Sequence, residues 1–262
     1  MRIMSISPLL AFKSNDKSGN ISEPKKFSVN FENLMSVCGE DLAQRDAFIR
    51  KSATIDVVRL SNLGIKDFRL IDSRSVRGQS LTKKPIELFQ ELKSCGIETV
   101  VDLRREGSSE SVYAKKCEQA GIRYMHFQIN DTLPPFNPKG SNKVPSNVFD
   151  EMMQGFTLKM VDFFDEMSNG RVYVGCLLGL HRTDLAVSMN YLLNPVEPES
   201  PPFLSHMFIK NEQNSTGKRI GSVKNLLRNL TPEHRACIGL PDDFNEIFYV
   251  RVAKLRLMNK FL

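Results

Sequence analysis

Cys176 and Arg182 are separated by five residues in the stretch Val172-Tyr173-Val174-Gly175-Cys176-Leu177-Leu178-Gly179-Leu180-His181-Arg182-Thr183. A short β-branched and aromatic run reads as a buried strand. Cys176 to Arg182 then reads as a compact loop with Gly179 at its middle. Leu185, Ala186, Met189, Leu192 and Leu193 follow at helical spacing until Asn194-Pro195 stops the helix. A strand, a tight loop and a helix N-terminus make an anion site, because free backbone N–H groups converge there and the helix dipole adds positive potential. The backbone of Leu177, Leu178, Gly179, Leu180, His181 and Arg182 would cradle a phosphate. A cysteine at the mouth of such a site ionises more readily than a free one. Arg182 adds a planar fork that fits two phosphate oxygens. Thr183 brings a hydroxyl toward the sulfur. This is equipment for attack by a thiolate on a phosphate monoester.

The leaving oxygen of a monoester needs a proton, so a carboxylic acid must face the cysteine. Sites in open parallel sheets lie beyond the carboxyl ends of strands. Asp131 sits just past the expected strand Tyr124–Ile129, at the start of a proline-rich loop. Asp102 lies within a strand. Asp150, Asp162 and Asp165 lie on a helix. Asp184 falls in a first helical turn, where an acid is ordinarily a dipole or capping partner; beside the loop it would repel a phosphate unless it paired with a base.

The elements that must position these residues alternate. Phe68–Ile71 reads as a strand, Pro85–Ser94 as a helix and Glu98–Leu103 as a strand. Ser109–Ala120 is a second helix and Tyr124–Ile129 the next strand. Asn147–Met167 is a long helix leading into the Cys176 strand. This order predicts an α/β fold with a mainly parallel central sheet flanked by helices on both faces. Residues 1–60 read as an N-terminal extension, disordered over Ser14–Lys26 and carrying a short helix within Phe31–Ile55. Residues 61–262 read as the catalytic domain. Its end, 203–262, holds ten Lys/Arg against five Asp/Glu and reads as helices closing the sheet with a basic outer face.

The 262-residue chain is 41% hydrophobic and 25% charged, an ordinary globular composition. No apolar run approaches the length of a membrane span, and no signal peptide is recognisable. The five cysteines are scattered and form no C-x-x-C pair, which argues against a zinc site or a disulfide framework and suits a reducing, cytoplasmic compartment. None of the four histidines has metal-ligand spacing. A net charge of +6 favours acidic partners without selecting one; a nucleic-acid partner is not expected, and contact with a membrane surface stays open.

Cysteine, any five residues, arginine, then serine or threonine is the signature of the cysteine-dependent protein tyrosine phosphatases, and 176–183 resembles it. Val100-Val101-Asp102-Leu103-Arg104 and Ser75-Val76-Arg77-Gly78-Gln79 resemble two further segments of that superfamily. The order Phe127–Thr132, helix, then Arg171–Cys176 is similar to the dual-specificity branch. The resemblance covers about residues 68–195. It implies Cys176 as nucleophile, Arg182 as phosphate clamp, Asp131 as general acid and Thr183 as partner of the leaving thiolate, with neither metal nor cofactor. Phosphotyrosine, phosphoserine or phosphothreonine proteins are the expected substrates. A phosphoinositide or inositol phosphate, or mere phosphate binding without efficient turnover, are the alternatives. Two positions depart from the pattern: Gly175 stands where histidine is usual, and Asp184 where glycine is common. A loop without lysine favours a phosphoprotein. The Ser/Asn-rich start would suit a bacterial protein exported into a host cell.

Overall fold

A computed structural model describes residues 51–104, 110–130, 135–136, 145–204 and 215–259. Cys38, Asp131 and the expected extension up to residue 50 lie outside them. Among the described residues, strands β1 (Arg69–Leu70), β2 (Ser75–Gln79), β3 (Thr99–Asp102), β4 (Arg123–His126) and β5 (Val172–Cys176) form one sheet in the order β1-β2-β5-β3-β4. Only β1 runs antiparallel to its neighbour; the other pairs are parallel. Every residue of β3 and β5 is buried, as expected of parallel strands covered on both faces.

Two hydrophobic clusters cover the two faces. Helices α1 (Val57–Ser61), α2 (Ile86–Ser94) and α3 (Glu110–Gln119) pack with Val76, Val100 and Tyr173. Helices α4 (Ser146–Asn169), α5 (His181–Leu193), α6 (Ser215–Asn229) and α8 (Phe244–Met258) pack with Val101, Val172, Val174 and Cys176. Alternation along β5 decides this division, since successive side chains point to opposite faces. The short α7 (Pro232–Cys237) opens with a capping box in which Thr231 and His234 satisfy each other's backbone N–H groups. That gives His234 a structural task. The C-terminal helices close the sheet: Leu226, Leu227, Leu230, Phe248, Val252 and Leu255 are all buried.

Three details differ from expectation. Ser75–Gln79, notable in sequence for its arginine and glycine rather than for any period, is a strand beside β5. The strand expected to run to Ile129 stops at His126, because its partner β3 ends at Asp102. Helix α5 begins at His181, so Arg182 belongs to its first turn.

The chain leaves β2 and β3 through α2 and α3 on one face, and leaves β5, which lies between them, through α5 on the other. Such a reversal opens a crevice at the carboxyl ends of the strands. Phe163 fastens α4 to the segment after β4: its ring stacks on Phe127, with centroids 4.9 Å apart. Phe163 is fully buried. Phe163→Ala is expected to cost about 3–5 kcal/mol of stability, the usual range for emptying a buried aromatic site. Urea unfolding followed by circular dichroism measures it, and a cost under about 1 kcal/mol would show that the site collapses without penalty.

Candidate active site

Cys176 is the last residue of β5, opposite Gln79 of β2, and is 4% exposed. Beyond it the chain turns sharply, and Gly179 N–H donates to the Cys176 carbonyl at 3.2 Å. Gly179 has φ +74°, and a Cβ there would lie 2.5 Å from the Gly78 carbonyl carbon and 2.7 Å from Gln79 N. Only glycine lets the loop rest on the end of β2. Helix α5 starts at His181 without a side-chain cap, and the first N–H groups of a helix have no partner within it. Arg182 is half-buried, in the first turn of α5. Thr183 is fully buried, and its hydroxyl makes no hydrogen bond there. Leu177 and Leu178 are exposed and leave an apolar rim. A sulfur, the N-terminal turn of a helix and a guanidinium therefore lie together at the carboxyl end of β5.

Arg77 lies beneath this loop and is fully buried. Its Nη2 donates to the Gly179 carbonyl at 2.6 Å, and its Nη1 to the Phe203 carbonyl at 3.3 Å. Its Nη1 also pairs with Asp184 Oδ1 at 2.5 Å. The bond to the Gly179 carbonyl fixes the direction of that peptide. Asp184, the other carboxylate beside the loop, is thus engaged by a base, and its charge is answered within the protein.

On the α6 side, Arg219 Nη2 lies 3.0 Å from His181 Nδ1. A guanidinium can only donate, so Nδ1 accepts and the neutral ring carries its proton on Nε2. At the end of β3, Asp102 accepts from Arg104 Nε at 2.8 Å and Nη2 at 2.7 Å, and from Tyr124 Oη at 3.0 Å. Asp102 is therefore structural. His126 Nε2–H donates to the Arg104 carbonyl at 2.7 Å, a structural bond as well.

Two other cysteines are unsuited to nucleophilic work. Burial, aided by Asp102, pushes the Cys117 thiol up to about 12. Burial also raises the Cys95 thiol. Among the described residues no cluster of three His, Cys, Asp or Glu could hold a metal ion, and no helix is long and apolar enough to cross a membrane. A cleft of about 510 Å³ runs along β1, lined by Phe68, Arg69 and Phe203, and no residue of the loop lines it.

Cys176, the Leu177–His181 backbone, Arg182 and Thr183 lie in sequence from the end of β5 into the first turn of α5, and Asp131 lies outside the described residues. Arg77 and Arg219 are the residues that sequence reasoning passes over. Arg77 carried a signal, its place in the Ser75–Gln79 segment; Arg219 carried none.

No protein-family model and no curated protein sequence matches the chain. Solved structures do. A DUF442 candidate phosphatase from Shewanella putrefaciens CN-32 is 16% identical over 64% of this chain and 93% of its own, with a TM-score of 0.41. A Gly-to-Ala mutant of Tk-PTP is 13% identical over 74% and 97%, with a TM-score of 0.31. A Cys-to-Ser form of TpbA from P. aeruginosa, in complex with phosphotyrosine, is 11% identical over 70% and 94%, with a TM-score of 0.30.

Arg77→Met should be severe, because it strands Asp184 as a buried charge and frees the Gly179 carbonyl. Breaking a buried pair by removing one partner typically costs about 3–5 kcal/mol. Urea unfolding of the variant measures this, and a loss under about 1 kcal/mol would mean that the pair is not buried in solution.

Proposed function

We propose that this chain is a metal-independent phosphatase that hydrolyses phosphate monoesters through a phosphocysteine, acting on phosphorylated proteins. One observation carries the reading: Cys176 sits at the carboxyl end of the central strand, where a tight loop leads into the uncapped N-terminus of α5 with Arg182 in its first turn. Asp184 does not oppose it, because Arg77 neutralises that carboxylate. The exposed Leu177 and Leu178, and the absence of lysine from the loop, favour a phosphorylated side chain over an inositol headgroup.

In the first step the Cys176 thiolate attacks phosphorus. A sulfur–phosphorus bond forms and the bond to the leaving oxygen breaks. Arg182 and the loop amides hold the equatorial oxygens as charge builds on them. Asp131, in its acid form, protonates the leaving oxygen. In the second step water attacks phosphorus, Asp131 takes its proton, and the sulfur–phosphorus bond breaks. The Thr183 hydroxyl, buried without a partner, donates to the departing thiolate.

Turnover of p-nitrophenyl phosphate, unaffected by EDTA, is the primary test. Cys176→Ser should abolish it while phosphate still binds; activity near wild type would remove the nucleophile assignment. Arg182→Lys should also lose most activity, since a point charge cannot replace a two-pronged donor. A Lys variant within a few-fold of wild type would show that Arg182 does not touch phosphate.

Asp131→Asn separates the acid from the rest of the machinery. The loss on an alkyl phosphate should be about 10²–10⁴-fold, and much smaller on p-nitrophenyl phosphate, whose oxygen leaves with little protonation. An equal, small loss on both substrates would place the general acid elsewhere.

A further inference from the structure

The geometry points to Tyr173 as a positioning residue that holds the phosphate loop from the face of the sheet opposite Arg77. This rests on reading 176–183 as a phosphate loop. Tyr173 and Gly175 share one face of β5, and Val76 and Gly78 share the same face of β2, with Gly78 paired to Gly175. Neither glycine has a side chain to fill the space above the pair, and the Tyr173 ring leans along the strand into it. A Cβ on Gly175 would lie 3.1 Å from Tyr173 Cε1, and a Cβ on Gly78 would lie 2.5 Å from the phenol oxygen. The two glycines and the tyrosine are thus one unit.

The ring ends where the loop begins. Tyr173 Oη donates to the Gln79 carbonyl at 2.5 Å, and Gln79 is the residue opposite Cys176. Gly179 rests on the same stretch of backbone: its Cα hydrogens face the Gly78 carbonyl and Gln79 N. The phenol therefore fixes the floor under the loop, while Arg77 holds the loop's own carbonyl from the other face. The donor is permanent. Tyr173 is fully buried, and burial, with Cys176 adding and Arg77 opposing, holds its phenol protonated well above the ordinary value. Position 175 carries no side chain here because Tyr173 occupies its space and supplies the restraint from two residues earlier.

The test uses the full chain and reads anion binding apart from turnover. Cys176 is alkylated with iodoacetamide, and tungstate is titrated in as a phosphate-shaped protector. Tyr173→Phe keeps the ring and removes one hydrogen bond, so the variant should fold. The tungstate concentration for half-protection should rise about fivefold or more, the effect of a lost buried hydrogen bond expressed at the loop. kcat on p-nitrophenyl phosphate should fall with it. Gly78→Ala, which displaces the phenol oxygen, should weaken protection in the wild-type background and add little to Tyr173→Phe, since coupled neighbours are non-additive. Wild-type protection and wild-type kcat in Tyr173→Phe would overturn the proposal and leave Tyr173 as packing. Full additivity of the two substitutions would overturn it as well. A wild-type protein that is protected by tungstate yet turns over no monoester would overturn the phosphatase reading alone; the tungstate comparison would still decide the role of Tyr173. A wild-type protein that tungstate does not protect would overturn the loop assignment and this proposal with it.

Discussion

A buried guanidinium shared between a backbone carbonyl and a carboxylate is the constraint on which this site depends. Arg77 has no water to solvate it, so its charge must be answered by the protein. Asp184 supplies the opposite charge, and the carbonyls of Gly179 and Phe203 take further N–H groups. Three separate pieces of chain are fixed by one side chain: the loop, the first turn of α5 and the segment after α5. The proposed anion site would depend on the direction of the Gly179 carbonyl, which Arg77 fixes. A peptide that points its oxygen down presents neighbouring N–H groups upward, and that orientation costs nothing to reorganise when an anion arrives.

The site is also defined by which groups have no partner. Most polar groups in a folded chain are satisfied, and exceptions call for a reason. Among the described residues the Thr183 hydroxyl is such an exception beside the loop, and Glu166 Oε2 and Ser188 Oγ are others elsewhere. Nearby polar side chains are engaged by the fold. Asp102 is taken by Arg104 and Tyr124, His126 by the Arg104 carbonyl, and His181 by Arg219.

Local patterns made much of this legible from sequence. β5 and α5 announce themselves by a β-branched run, a central glycine and helical spacing, and Cys176, Arg182 and Thr183 lie within that one stretch. The alternation of strands and helices predicted the sheet. What stayed hidden depends on partners far along the chain. β2 carries no clean period, because one of its residues is an arginine buried for the sake of residues 102 and 107 positions later, and another is a glycine that makes room for Tyr173. Asp184 reads as a repulsive acid until Arg77 is seen beside it. His234 looks idle in sequence because its task is a two-way bond to the backbone of Thr231. The sequence offers Asp131 as the acid by its place after a strand, and that residue lies outside the described residues.

The parallel arrangement also has a kinetic meaning. Arg77 and Gly179 are 102 residues apart in sequence, and Arg77 and Phe203 are 126 apart. Loops of that length must close before a single one of these bonds can form, and contacts between distant residues slow folding. β5 enters last among the strands and inserts between two that precede it. The loop after β5 therefore takes its form only when the sheet is complete. Any oxyanion that fits it binds the finished protein and no earlier form, so such an ion favours the native state by mass action in proportion to its concentration.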